Sequence, residues 1–282
     1  MDKKIIVAGA SGYLGHYLVK VFKEAGYHVI ALARSEKKLE GLKAYIDEVK
    51  ILDISNPEAL RGIMLDADYV ISTVGITRQK DGLTYMDVDY QCNLNLLNEA
   101  LKSKVDKFMY ISALNGEHLT ELKIMAAKEA FVQALTEADL KSYVIRPSGF
   151  FSDVGEIFEM AQKGRVYLFG SGMYQSNPIH GEDLARFCLD KIMDQPGDYS
   201  VGGPQVLTQI DIANEAFNLL GKAPRISRIP EAFALIIKYV LRRVTKVSFY
   251  GPIEFFLTVL TMDMVGPTYG NHTIGTYFHT LS

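Results

Sequence analysis

Residues 4–18 read KIIVAGASGYLGHYL. An apolar run, Ile5-Ile6-Val7-Ala8, leads into Gly9-Ala10-Ser11-Gly12-Tyr13-Leu14-Gly15 and then into a helical pattern. A parallel strand buried on both faces needs such a continuous apolar run. Glycines let backbone N–H groups come close to an anion, and a following helix turns its unsatisfied N–H groups and positive dipole end to the same charge. Strand, Gly-rich turn and helix in this order predict a pyrophosphate site formed by Gly9, Ser11, Gly12, Tyr13, Leu14 and Gly15. The spacing is G-x-x-G-x-x-G rather than the commoner G-x-G-x-x-G.

Outward from this stretch, apolar runs recur at a strand–helix rhythm. Strands are predicted near 4–8, 28–33, 49–52, 68–74, 107–112 and 142–146, and helices near 13–25, 57–65, 84–103 and 121–138. Gly26 closes the first helix, while Asn56-Pro57 opens the second with a capping residue and a proline in the first turn. Apolar strands separated by helices argue for an α/β fold with a doubly wound parallel sheet, the Rossmann arrangement, whose ligand crevice lies at the strand C-termini. After Pro147 the rhythm loosens, with glycines between short pieces and further helices near 182–193 and 209–220. The expected organisation is a dinucleotide-binding domain over 1–150 and a smaller C-terminal substrate lobe over 151–282 that partly returns to the sheet.

Composition narrows the function classes. The chain has 282 residues, 48% of them hydrophobic, and a net charge of −3, which gives no global reason to bind nucleic acid. Cys92 and Cys188 stand outside any metal or redox spacing, which fits a reducing, cytoplasmic setting. The histidines show no paired ligand spacing, so no metal site is expected. The start has too short an apolar stretch for a signal peptide, and no run of 18 uncharged apolar residues predicts a membrane span.

The loop after the second predicted strand distinguishes the two nicotinamide dinucleotides. A carboxylate there would bind the adenosine ribose 2′-hydroxyl and repel a 2′-phosphate. This chain has Arg34 and Ser35, followed by Lys37 and Lys38. A guanidinium matches phosphate geometry and nearby ammonium groups add attraction, so NADP (NADPH) is favoured; the alternative is a solvated basic helix start. Asp53 and Ile54 follow the third strand, where the carboxylate can cap the next turn. Thr73, Val74 and Gly75 end the fourth strand, where glycine lets backbone approach a ribose, or simply ends the strand.

These pieces together resemble the atypical, NmrA-like branch of the short-chain dehydrogenase/reductase superfamily. They are joined by Val88–Leu97, Tyr110-Ile111-Ser112, Ile145-Arg146-Pro147-Ser148-Gly149-Phe150-Phe151 and Pro178–Ala185. The resemblance covers roughly residues 4–200 and implies a serine on the fifth strand with a Tyr-x-x-x-Lys pair on the next helix. Ser112 matches the serine and Lys128 the lysine, and the resemblance places Pro147 beside the cofactor and Asp53 with Ile54 beside the adenine, whose amine Asp53 would accept as the alternative to capping its turn. The tyrosine position is Ile124, which transfers no proton, so the standard dehydrogenase mechanism is not expected. Asp89 replaces an asparagine common in extended members; it either orients Lys128 through water or belongs to a polar layer. Tyr85, His118, Tyr174 and His180 are further candidate proton donors.

Two function classes follow. One is a reductase passing hydride from NADPH to a small or apolar organic acceptor. The other is a non-catalytic NADP(H)-binding sensor, regulatory or assembly protein; a sugar-nucleotide epimerase ranks below both. The expected partner is accordingly a small-molecule substrate or a protein. Residues 231–262 carry two apolar runs with a basic end. They predict helices packed on the second lobe, a peripheral membrane or protein docking pair, or a lid.

Overall fold

The computed structural model describes residues 3–79 and 82–282; Met1 and Asp2, on which the signal-peptide expectation bears, lie outside them. The chain divides into two units, Met1–Arg146 with Leu184–Tyr199, and Pro147–Asp183 with Ser200–Ser282.

The first unit is built on β1 (Lys4–Ala8), α1 (Tyr13–Glu24), β2 (His28–Ala33), β3 (Glu48–Ile51), β4 (Tyr69–Ser72), α2 (Asn93–Lys102), β5 (Lys107–Ile111), α3 (Lys123–Thr136) and β6 (Lys141–Pro147). The sheet order is β3-β2-β1-β4-β5-β6, continued at the edge by β9 (Gly197–Val201). Every pair from β3 to β6 is parallel, with Ile6 beside Ile30 and Val70, and Val7 beside Ala31 and Ile71. This is the doubly wound order, with its reversal point between β1 and β4. Ile6, Ile30, Val70, Phe108 and Tyr110 form the core on one face with Leu96, Leu97 and Phe131 of α2 and α3. Buried apolar strands were therefore read correctly as a two-sided sheet.

Two helices differ from expectation. The helix predicted over 57–65 is a short 3-10 turn, Pro57–Leu60, capped by Asn56 Oδ1, which accepts from Glu58 N (3.1 Å). Gly62 at φ +76° then breaks it. The helix predicted over 84–103 begins as a π-helix, Met86–Cys92, before becoming α2. Its cause is local: Asn93 Nδ2 donates to the carbonyls of Asp89 (2.9 Å) and Val74 (3.1 Å), while Ser72 Oγ donates to Asn93 Oδ1 (2.5 Å). The side chain thus competes for helix carbonyls and ties the helix to the end of β4.

The second unit contains α4 (Phe151–Gln162), β7 (Val166–Phe169), β8 (Gln175–Ser176), β10 (Leu207–Thr208), α6 (Gln209–Leu219), β11 (Ile226–Ile229), α7 (Glu231–Val244), α8 (Val247–Val259) and α9 (Ile274–His279). Helix α5 spans Gly181–Lys191. β11 pairs parallel with β7, and β10 antiparallel with β8. Phe151, Phe158, Ile212, Phe217, Ile274 and Phe278 form this unit's core.

Candidate functional site

Gly9 sits at φ +84°, a region that costs glycine little, and a Cβ there would run into Thr73 Oγ1. At Gly15 a Cβ would strike Gly9 O and lie 2.8 Å from Ala10 Cα, so the first turn of α1 packs directly on the Gly-rich turn. Gly12 N donates to Gly9 O (2.9 Å), closing that turn. Gly12 is also the exposed N-cap of α1 and supplies no side-chain bond, and no acidic residue stands in the first turn. Leu14 is buried and anchors the helix start, with Tyr13 and partly buried Ser11 beside it. Backbone donors and a positive helix end are thus presented where an anion would add the missing acceptors.

Arg34, at the end of β2, and Lys38 are exposed, and Ser35 is partly buried. Asp53 Oδ1 accepts from Ser55 N (3.0 Å) and Ser55 Oγ (2.8 Å). These bonds, with the Arg34 charge as a smaller contribution, hold its carboxyl below the usual range. Asn56 rather than Asp53 caps the following turn. Ile54 packs against the core, its carbonyl accepting from Asn95 Nδ2 (3.1 Å).

Thr73 N donates to Ala8 O (3.0 Å), which extends the β1–β4 contact beyond the strands. Val74 is buried and Gly75 is exposed. A Cβ on Gly75 would lie 2.6 Å from Asp89 Oδ1 and 2.9 Å from Lys128 Nζ. Lys128 Nζ is 3.0 Å from Asp89 Oδ1 and 3.5 Å from Tyr110 Oη; Asp89 is fully buried and the lysine side chain is 14% exposed. Asp89 therefore pairs with Lys128 directly through Oδ1, while its Oδ2 accepts from Ile76 N (3.2 Å). Burial pushes the Asp89 carboxyl up against the pull of Lys128. For Lys128 burial opposes the charge, but Tyr110 and Asp89 outweigh it and hold the ammonium above its ordinary range. Burial raises the Tyr110 phenol to about 12, which makes it a poor acid near neutrality.

Ile124 is buried one turn before Lys128 on α3, where the superfamily tyrosine would stand. Ser112, buried after β5, donates from Oγ to Glu129 Oε1 (3.2 Å). Glu129 receives both Arg146 terminal nitrogens (2.7 and 2.9 Å), and Arg146 Nε donates to Asp198 (2.8 Å). Sequence reading missed Glu129, Arg146 and Asp198. A signal existed in Val144-Ile145-Arg146-Pro147, because a charge inside an apolar strand requires partners. Pro147 closes β6.

Of the further proton-donor candidates, Tyr85 Oη donates to Thr77 O (2.8 Å) and Tyr174 Oη to Glu231 Oε1 (2.9 Å). His118 lies in an exposed turn beside Glu117.

In the second unit, chain folding brings together groups far apart in sequence. His180 stacks on His272 with ring centroids 4.1 Å apart, and ligand atoms of His180, Glu182 and His272 lie within 4.8 Å of one another. The hydrogen bonds give the cluster an anchoring role. His180 Nδ1 accepts from Glu182 N (3.3 Å), and Asp183 meets His272 Nδ1 (2.8 Å) and accepts the N–H groups of Asn271 and His272. Burial, and then the neighbouring His272, lower the His180 pKa. Its stabilising contribution is therefore full above the unfolded histidine value of about 6.5 and is lost as pH falls toward the lowered folded value. Urea midpoints should drop between pH 7.5 and 5.5 as the unfolded chain takes up a proton that folded His180 resists. His180→Gln should flatten that drop; an unchanged slope would refute the assignment.

This geometry fits a dinucleotide: glycine cradles that a Cβ would fill, an uncapped helix start, and a held cation near the end of β4. Residues 9–195 match the family of NAD(P)H-binding proteins. The chain belongs to that NAD(P)H-binding family. Its resemblance to the atypical, NmrA-like short-chain reductases stands with it. Among relatives, the chloroplastic divinyl chlorophyllide a 8-vinyl-reductase of Zea mays is 27% identical over 299 residues, covering 96% of this chain and 75% of that protein. The photosystem II assembly factor Ycf39 of Synechocystis is 25% identical over 237 residues, covering 81% and 71%. The fold is shared with AtPrR2, solved with NADP+ and (+)pinoresinol (TM-score 0.78, 15% identity, covering 100% and 99%). It is shared as well with a UDP-Glc/GlcNAc 4-epimerase from Campylobacter jejuni (TM-score 0.74, 13% identity, covering 98% and 97%). No helix among the described residues is long and apolar enough to cross a membrane.

Proposed function

We propose that this chain is an NADPH-dependent reductase of an electron-poor organic acceptor with an apolar body, a conjugated alkene being the best-suited class. The observation that carries this reading is the pair Lys128 and Ile124: the cofactor-side cation is kept and held by Asp89, while the proton-donating phenol is gone. Bound NADPH supplies a hydride. An acceptor whose new negative charge is delocalised takes its proton from water afterwards, so it suffers least from losing an acid worth roughly a hundred- to ten-thousand-fold. Relatives named as 8-vinyl-reductases support an alkene acceptor.

In this reading the Gly9–Gly15 turn and the start of α1 bind the pyrophosphate through backbone N–H groups. Arg34, Ser35 and Lys38 hold a 2′-phosphate, Asp53 and Ile54 flank the adenine, and the Thr73–Gly75 backbone lies beside a ribose. Lys128 donates to the nicotinamide ribose hydroxyls, and Ser112 and Pro147 are the further residues this reading assigns to the cofactor. Both cysteines are buried thiols, which suits a reducing, cytoplasmic location.

NADP is expected to bind more tightly than NAD. Arg34→Asp should remove charge-assisted bonds worth about 1.5–3 kcal/mol, roughly 10- to 150-fold in affinity, and reverse the preference. Equal wild-type affinities in a fluorescence titration would refute the NADP assignment.

A second reading, a non-catalytic NADP(H)-binding sensor or assembly protein, is favoured by Ser112, whose hydroxyl is turned to the Glu129 carboxylate. Relatives named as Ycf39 are assembly factors. Single-turnover oxidation of NADPH against conjugated alkenes, quinones and aldehydes separates the two. Reaction with an alkene or quinone supports the reductase; no reaction with any acceptor, beside a specific protein partner in pull-down, supports the sensor.

A further inference from the structure

We propose that α7 is a membrane-surface helix that lies in the plane of an anionic lipid leaflet. Phe233, Ile236, Val240 and Val244 recur at i, i+3, i+7 and i+11, which places them on one helix face. They are 54%, 56%, 45% and 69% exposed, and Ala234 is the buried residue of this 14-residue helix. An amphipathic helix normally turns such a stripe inward. Here the other side is the one that is held. Arg242 Nε bonds to Glu254, which is buried in α8, and Lys238 Nζ donates to Thr258 Oγ1 (3.3 Å). The apolar stripe thus faces outward by construction.

Charge selects the occupant. Residues 222–246 carry seven basic side chains and one acidic one, in a chain of net charge −3. Arg243 lies over the exposed Tyr239 ring (4.4 Å), pairing an aromatic with a cation beside the stripe. Apolar residues bordered by Lys and Arg are the composition of helices that enter the headgroup boundary of anionic bilayers. A second copy of the chain fits poorly, because a two-fold contact through α7 would set one basic segment against another. The helix is also too short to span: 14 residues rise about 21 Å, against a hydrocarbon core of about 30 Å. This inference does not rest on the proposed reaction.

The test is flotation of the full chain with phosphatidylcholine vesicles, with and without phosphatidylglycerol, at low and high salt. Flotation is expected with the anionic vesicles only and should fall several-fold at high salt. Ile236→Asp with Val240→Asp should abolish it, while NADPH binding and the urea midpoint stay as in the wild type. Arg243→Glu with Lys246→Glu should weaken it. No flotation with either vesicle overturns the proposal, as does equal flotation with neutral vesicles or flotation that survives the two aspartates. A concentration-dependent dimer that those aspartates dissolve, without flotation, would assign the face to a second copy instead.

Discussion

Lys128→Met should destabilise the first unit by about 3–5 kcal/mol, because it leaves the Asp89 carboxylate buried without its counter-charge. Against a total stability of about 5–15 kcal/mol, that is enough to bring the protein near unfolding at ambient temperature. Asp89 is fully buried and 3.0 Å from the ammonium, so water does not replace the lost partner. The paired replacement, Asp89→Asn with Lys128→Met, should recover much of the loss, since a neutral amide costs less to bury than an ion. Urea unfolding of the two single variants and the double variant gives the coupling directly. A single Lys128→Met cost below about 1 kcal/mol, with the wild-type denaturant slope, would mean the pair does not hold this part of the fold.

Gly15→Val should remove dinucleotide binding more completely than any side-chain loss in the site. The added Cβ would strike Gly9 O and lie 2.8 Å from Ala10 Cα, both backbone, so no side chain can move aside to relieve it. The start of α1 must then lift from the turn, costing about 1–3 kcal/mol in stability. The larger effect is on the N–H groups, which no longer converge on one point. NADPH affinity should fall roughly 100-fold or more, about 2.8 kcal/mol. Gly41→Ala is the control: nothing lies within 4 Å of the added atom, and NADPH titration should match the wild type. A Gly15→Val protein that still binds NADPH tightly would separate the turn from the cofactor.

The parts of the site legible in the sequence are those whose cause is local. The β1 run, the Gly9–Gly15 turn and α1 are contiguous, so strand burial, turn conformation and helix start are all written within fifteen residues. Arg34 and the Thr73–Gly75 backbone were placed by the strands that deliver them. The Glu129–Arg146–Asp198 network was not found, because its members stand 17 and 52 residues apart and pair only once α3 reaches β6 and β9 stands beside it. His180 and His272 stack across 92 positions for the same reason. Periodicity also failed where a side chain competes with the backbone. Residues 84–103 read as one helix, since the apolar spacing is helical throughout and only the Asn93 amide, bonded to Asp89 O and Val74 O, reveals the wider turn. At 57–65 the opening signal of Asn56-Pro57 was right, and the stop at Gly62 was the part overlooked. The apolar runs over 231–262 were read from composition alone; which side of α7 is held depends on Arg242 reaching Glu254, twelve residues on.

The π-helix at Met86–Cys92 sets where this helix can lose a residue without turning its side chains. Deleting a single residue there would let the helix relax into ordinary α geometry, a favourable local change. The wide turn is what takes up the extra residue, so the segments on either side of it would stay in phase with one another. A deletion in α2, where no wide turn absorbs it, would instead swing every residue ahead of it by about 100° and turn the Asp89 carboxylate away from Lys128 and Ile76. A one-residue deletion is therefore absorbed within Met86–Cys92, while the same deletion in α2 acts on Lys128 as strongly as a substitution does.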